Sequence, residues 1–282
     1  MGVMDGKRGL VMGVANRNSI AFGCARALVG AGAEIAITYQ GPAFGKRVAP
    51  LAEALGSDFL IDCDVDSEAS IDAAFAAIEE RWGTLDFVLH AIAFSDKDEL
   101  KGRYADTSRA NFTKTMLVSC FSFTEVARRA ARLMPPLAED GTGGGALATL
   151  TFAGSVRVMP NYNVMGVAKA ALESSVRYLA TDLGPDGIRV NSISPGPIRT
   201  LAGAGISDAR AMMGYQQRNS PLRRTVNIDE VGDTAVFLLS DMGRAVTGET
   251  LFVDAGFHSV QMPVLDELRA RPNGGDKPGS AE

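Results

Sequence analysis

The chain is poor in cysteine, histidine and tryptophan. Its 282 residues include three cysteines, two histidines and one tryptophan. Cys24, Cys63 and Cys120 are unclustered, which excludes a disulfide framework and fits a reducing cytoplasm. His90 and His258 alone cannot build a His-rich metal centre, so no metal is expected. Positive charge is in deficit: 28 Lys+Arg against 33 Asp+Glu leave a net charge of −5. That balance gives no whole-surface attraction to nucleic acid or to an anionic membrane. Long apolar runs are missing too. The longest stretch without a charged residue, 141–156, is rich in Gly and Thr and too short to span a bilayer. Asp5, Lys7 and Arg8 precede the first apolar block, so no signal peptide is expected.

What is present is a hydrophobic content of 46%, ample for a packed core. Apolar runs of strand length alternate with longer helical ones. Leu10 to Met12, Glu34 to Tyr39, Asp58 to Ile61, Leu85 to Ala91, Ala146 to Thr151, Ile188 to Ser194 and Thr250 to Val253 read as strands. Helices are predicted over 20–30, 44–55, 67–82, 108–134, 161–183 and 229–239, with an amphipathic piece late in 196–220. Strands alternating with helices of these lengths predict an α/β fold: one doubly wound, Rossmann-like parallel sheet with helices on both faces. Residues 1–268 read as one domain. The tail 269–282, rich in Arg, Pro, Gly, Asp and Lys, reads as disordered.

The first strand runs into Gly13, then a five-residue loop, then Ser19-Ile20 at a helix start. Such a turn cradles a pyrophosphate, because backbone N–H groups and the positive end of the helix face the anion. Ser19 could cap the helix or bond a phosphate oxygen. Gly23, one turn in, permits close strand–helix packing. The second strand ends in Gln40, which can bond a ribose hydroxyl but has no charge. This points to NAD(H), with Lys46 and Arg47 just beyond keeping NADP(H) as the alternative. Asp64, beside Val65, stands where an adenine amino group could donate to it, or where a residue could cap the approaching helix. Tyr162 and Lys169 lie seven apart. At roughly 100° per residue they share one helix face, about 10 Å apart along the axis. A phenol near an ammonium is more acidic and can donate to a developing oxyanion.

Taken together, these residues resemble the short-chain dehydrogenase/reductase superfamily, and within it the enoyl-(acyl-carrier-protein) reductases of type II fatty acid synthesis. The resemblance rests on Gly-Val-Ala-Asn-Arg-Asn-Ser-Ile-Ala at 13–21, Cys-Asp-Val at 63–65 and His-Ala-Ile-Ala-Phe at 90–94. Asn-Tyr-Asn-Val-Met-Gly with Ala-Lys at 161–169, and the run from Arg189 to Ala202, complete it. Most telling is Tyr-x6-Lys, since the main branch of the superfamily uses Tyr-x3-Lys. The resemblance implies NADH as cofactor and an acyl-carrier-protein-bound enoyl thioester as substrate. It also implies a cytoplasmic homotetramer. Tyr162 would be the donor to the thioester oxygen, and Lys169 would bond the nicotinamide ribose. Ile92 and Ile198, Arg199, Thr200, Leu201 and Ala202 would join Gly13, Ser19, Ile20, Gln40, Asp64 and Val65 around the cofactor. Phe94, Ser95, Leu100, Met165 and Ile206 would form the acyl pocket with Tyr162.

Two departures stand out. Phe152 occupies the place where many bacterial members carry a second Tyr beside the substrate. The helix after 198–202, basic in many members, keeps Arg210 alone between Ser207-Asp208 and Ala211; Arg223 and Arg224 lie just downstream. An auxiliary reductase with a different acyl donor is one alternative. Another is a carbonyl or hydroxyl oxidoreductase, in which Thr149, thirteen before Tyr162, would meet the substrate oxygen. A non-catalytic nucleotide sensor would need neither Tyr162 nor Lys169.

Overall fold

The computed structural model describes residues 2–139, 143–200 and 209–266. Seven parallel strands form one sheet: β1 (Arg8–Met12), β2 (Glu34–Tyr39), β3 (Phe59–Asp62), β4 (Phe87–His90), β5 (Gly145–Leu150), β6 (Ile188–Pro195) and β7 (Thr250–Val253). Their spatial order is β3-β2-β1-β4-β5-β6-β7. The order reverses between β1 and β4, and in such sheets ligands bind outside the carboxyl ends of the strands at that reversal.

Along each strand successive side chains go to opposite faces. Leu10 and Met12 pack on one side with Val88, Leu147 and Val190, under α3 (Glu68–Trp82), α5 (Ser122–Ala130) and α6 (Asn163–Leu183). Val11 points the other way, with Ile37, Leu89 and Ala148, under α1 (Ile20–Gly30), α2 (Gly41–Ala54) and α8 (Ile228–Leu239). The central strands are thus covered by helices on both faces, as their near-continuous apolar runs require.

The helix ends follow local chemistry. Ser67 accepts the Ser70 amide at the start of α3, and Gly83 closes it at φ +67°. Asn227 and Glu230 form a reciprocal capping box on α8. The long helix predicted over 108–134 is interrupted. Helix α4 (Arg109–Met116) passes through a π-turn at Leu117–Phe121 before α5 begins. There Ser119 Oγ donates to the Phe94 carbonyl and accepts the Phe94 amide, both at 2.9 Å. The amphipathic piece predicted late in 196–220 is α7 (Ala209–Asn219).

Gly23 serves a different contact from the one its position suggested. A Cβ there would stand 2.5 Å from the Ile228 carbonyl oxygen of α8, and a Cβ on Gly232 would stand 2.8 Å from the Gly23 oxygen. The two bare backbones let α1 and α8 cross at contact distance. The glycine therefore permits helix–helix rather than strand–helix packing.

Candidate active site

At the carboxyl end of β1, Gly13 turns at φ +98°, and any Cβ there would lie 2.2 Å from the Ala91 oxygen after β4. Only glycine fits this approach. The following loop is held by its own groups. Ser19 Oγ donates to the Asn16 carbonyl at 2.7 Å, and Asn16 Oδ1 accepts the Asn18 amide at 2.8 Å. Ser19 sits at the N-cap of α1 without capping it through its side chain, and no acidic residue lies in the first turn. The Phe22 amide donates to the Ser19 carbonyl at 3.0 Å, so the Ile20 and Ala21 amides and the helix's positive end are the groups that face an external anion such as a pyrophosphate. Ile20 faces the large cavity described below.

Asp64, two residues past β3, does not cap α3, since Ser67 does. Its Oδ1 accepts the Asp66 amide at 3.0 Å, and Val65 is buried beside it. Gln40 is exposed at the end of β2. Ile92 packs against the core on the α3/α6 side. Arg199 is exposed and Thr200 lies at the cavity rim. Leu201, Ala202 and Ile206 lie outside the described residues.

A cavity of about 700 Å³ opens between the carboxyl ends of β4, β5 and β6. It brings together Phe94, Ser95, Leu100, Tyr162 and Met165, the five described residues assigned to the acyl pocket from sequence, and adds Phe152, Met159 and Met213. Ser95 is buried and tied to Thr115 Oγ1 at 3.0 Å and to Asn111 Oδ1 at 3.3 Å. The lining is mostly apolar, with Asp96, Lys97 and Asp98 on one side.

Tyr162 is half-buried in this wall. It is the N-cap of α6, at φ −122°, and not a helical residue. The seven-residue phase argument therefore does not set its direction. Two left-handed neighbours do: Asn161 at φ +56° and Asn163 at φ +25°. Asn163 Nδ2 reaches the carbonyls of Glu99, Lys101 and Gly102 at 3.3, 3.2 and 3.4 Å, tying the cavity's outer loop to the start of α6. The Tyr162 ring packs on bare backbone, because a Cβ on Gly154 would lie 2.5 Å from its Cδ1. Phe152 meets it edge-on, with ring centroids 5.2 Å apart. Burial, and secondarily the Glu173 charge, raise the phenol's pKa above its ordinary value, so the proton stays on oxygen.

Lys169 is buried two turns further along α6, and its Nζ donates to the Leu150 carbonyl at 2.8 Å. Burial lowers its pKa to about 8; the neighbouring Cys120 and Glu173 oppose that fall. One turn on, Glu173 Oε1 accepts the Thr151 hydroxyl at 2.6 Å. The end of β5 is thus fastened to α6 by two bonds at consecutive turns. His90 is fully buried between Thr149 Oγ1 at 3.3 Å and Ser122 Oγ at 3.0 Å, with its pKa lowered to about 3 by burial and by the Lys169 charge. Thr149 is therefore spent inside the core and does not reach the cavity.

Sequence reasoning missed Asn163, Thr151, Glu173 and Met213. Asn163 was detectable as an Asn next to a singled-out Tyr at a helix start, where left-handed backbone is tolerated. The others carry no local signal.

Among the described residues no group of three His, Cys, Asp or Glu could hold a metal. None of the described helices is long and apolar enough to cross a membrane.

Comparison with known proteins agrees with this geometry. The family model described as enoyl-(acyl carrier protein) reductase matches residues 13–258. Enoyl-(acyl-carrier-protein) reductase (NADH) 2 of Rhizobium meliloti (strain 1021) is 65% identical over 95% of this chain and 97% of its own length. Enoyl-(acyl-carrier-protein) reductase (NADH) 1 of the same organism is 59% identical over 94% and 95%. The crystal structure of FabI from Candidatus Liberibacter asiaticus superposes with a TM-score of 0.89 at 55% identity, covering 94% of this chain and 100% of that one. An Anaplasma phagocytophilum reductase of this kind, solved with NAD, superposes at 0.88 and 52% identity, covering 94% and 98%. The phosphate-ready turn after β1, the phenol at an apolar cavity and these likenesses agree: the chain belongs to the enoyl-(acyl carrier protein) reductase family.

Proposed function

We propose that this chain catalyses the NADH-dependent reduction of the trans-2 double bond of enoyl thioesters carried by acyl carrier protein, in type II fatty acid biosynthesis. The observation that carries this is Tyr162: a protonated phenol set into the wall of an apolar cavity of about 700 Å³, with Lys169 two turns along the same helix. Bound NADH supplies a hydride to C3 of the enoyl thioester. Tyr162 would give a hydrogen bond from its O–H to the thioester oxygen, where enolate charge develops as C3 takes the hydride, and a proton from solvent at C2 then completes the saturated thioester. Lys169, freed from the Leu150 carbonyl, holds the nicotinamide ribose hydroxyls. The turn at Gly13, with Ser19 and Ile20 at the start of α1, takes the pyrophosphate, joined by Ile198 to Ala202. Gln40, Asp64, Val65 and Ile92 flank the adenosine. Phe94, Ser95, Leu100, Met165 and Ile206 form the acyl channel, and Phe152 replaces a second phenol with a ring that only packs. The carbonyl-reductase alternative loses its support because Thr149 bonds His90 inside the core.

Purified protein with NADH and a crotonyl thioester should consume absorbance at 340 nm, and should leave simple ketones untouched. Turnover of ketones but not of the enoyl thioester would refute the assignment.

Residues 1–268 act as one enoyl-reductase domain in this reading, and the enzyme is a cytoplasmic homotetramer. The exposed Phe112, Phe121 and Tyr178 on α4 to α6 support assembly through those helices. The free cysteines fit a reducing compartment. Sedimentation at micromolar concentration should give four copies; a monomer would overturn the assembly.

A further inference from the structure

Beyond β2 the chain turns at Gln40 and Gly41 into α2. In a doubly wound nucleotide fold the adenosine ribose lies over this turn, and a group on its 2′ position is read there. The start of a helix draws anions by its unsatisfied amides and its positive end. Nothing else about α2 opposes a phosphate, since its first turn holds no acidic residue and Lys46 and Arg47 are exposed just beyond it.

In this chain that anion position is already taken, and from an unexpected side. Asp62, the last residue of β3, lies opposite Tyr39 in the β2–β3 ladder. Its Oδ1 accepts the Gly41 amide at 2.8 Å. Gly41 turns at φ +70°, and the space where its side chain would be is open. The next residue, Pro42, has no amide hydrogen to offer. The first two donors of α2 are thus removed, one by a carboxylate and one by a ring. None of the described ion pairs neutralises Asp62. Arg47 lies with its guanidinium 5.8 Å from the centroid of the Phe44 ring. Asp64, the next carboxylate along, is turned to the Asp66 amide.

We propose that Asp62 is the specificity-determining residue that excludes a 2′-phosphate, by placing its own carboxylate from β3 on the anion position at the start of α2. An unphosphorylated ribose loses nothing there, whereas a phosphorylated one meets a like charge and an already occupied amide. The proposal rests on the nicotinamide-cofactor reading given above. It adds a repulsive element to Gln40, which by itself merely lacks a positive charge.

Titration calorimetry of NADH and NADPH against wild type, Asp62→Asn and Asp62→Ala tests it. The Asn variant keeps an oxygen for the Gly41 amide and removes the charge. The Ala variant removes both, and thermal melts confirm that each exposed-site variant is folded. NADPH should bind about three- to tenfold more tightly to Asp62→Asn, and more tightly again to Asp62→Ala. NADH affinity should stay within about twofold in both. In wild type the NADPH penalty should also shrink between about 20 mM and about 0.5 M salt, and in Asp62→Asn it should not. An NADPH-to-NADH affinity ratio that is the same in all three proteins overturns the proposal. Reduction of an enoyl thioester by wild type is scored separately. If reduction is intact and the ratio does not move, only the role of Asp62 falls. If reduction is absent and the ratio moves, the role of Asp62 stands and the reaction assigned above falls.

Discussion

Tyr162 stands at the start of α6 and Lys169 two turns along it, and burial acts on them in opposite senses. For the phenol, loss of water disfavours the anion, so the group remains a donor throughout the working pH range. On the proposed assignment, Tyr162→Phe should keep NADH affinity near wild type and lower turnover on an enoyl thioester by about a hundredfold or more. Equal turnover in the variant would remove Tyr162 as donor. For the lysine, loss of water disfavours the cation and brings its pKa from 10.5 to about 8. An amine is charged below its pKa, so Lys169 loses its proton as pH rises through about 8, well before an exposed lysine would. The kcat/KM for NADH reports groups of the free enzyme and should fall over that interval. A profile that stays flat to about pH 9.5 would show that the Lys169 charge is not used in cofactor binding. The nearby His90 stays neutral across the whole range, because its pKa lies near 3.

The contact of α1 with α8 makes the phosphate-facing helix dependent on a distant one. Gly23→Ala pushes a methyl into the Ile228 carbonyl, backbone that cannot rotate away. It should destabilise the protein by about 1–3 kcal/mol in urea unfolding and weaken NADH binding, since α1 must shift. Gly30→Ala, at the open end of the same helix, should cost nothing or stabilise slightly. All seven strands were legible in the sequence, because each reads as a short apolar run between turns. Helix α1 was legible to the residue. What escaped depends on contacts between elements. The π-turn at Leu117–Phe121 follows from Ser119 bonding the Phe94 backbone, and a helical pattern of apolar residues cannot register that. Gly23 could be recognised as a close approach, but not which element approaches. The left-handed Asn161 and Asn163 set Tyr162 where helical phase would not. Asp62 fell just past the strand predicted over Asp58 to Ile61, and its bond to Gly41 exists because β2 and β3 are neighbours.

On the scale of the whole molecule, a net charge of −5 sets the terms on which an acidic carrier is met. Arg210 is exposed at the start of α7, with Ala211 beside it and Ser207 and Asp208 outside the described residues. The other candidate patch is already engaged. Arg224 pairs with Glu230, and Arg223 donates to the carbonyls of Arg218 and Ser220. The advantage of carrier-bound over coenzyme-A-bound enoyl substrate should therefore be small and fall only weakly up to about 0.3 M salt. A strong carrier preference that salt abolishes, and that Arg224→Ala removes, would place the docking patch at Arg224. The strand order carries a different consequence. Residues before Gly83 build the three strands β3-β2-β1, and those after it build β4 to β7. Each set is contiguous, and the two meet along β1–β4 and across α1–α8. The reversal point of the sheet is thus also a seam, and parting it bares one edge of β1 and one edge of β4. Two polypeptides, 1–84 and 85–282, produced together, should reassemble into an active enzyme. The same chain cut inside β5 or α6 should not, because each piece would then carry part of the wall that holds Tyr162.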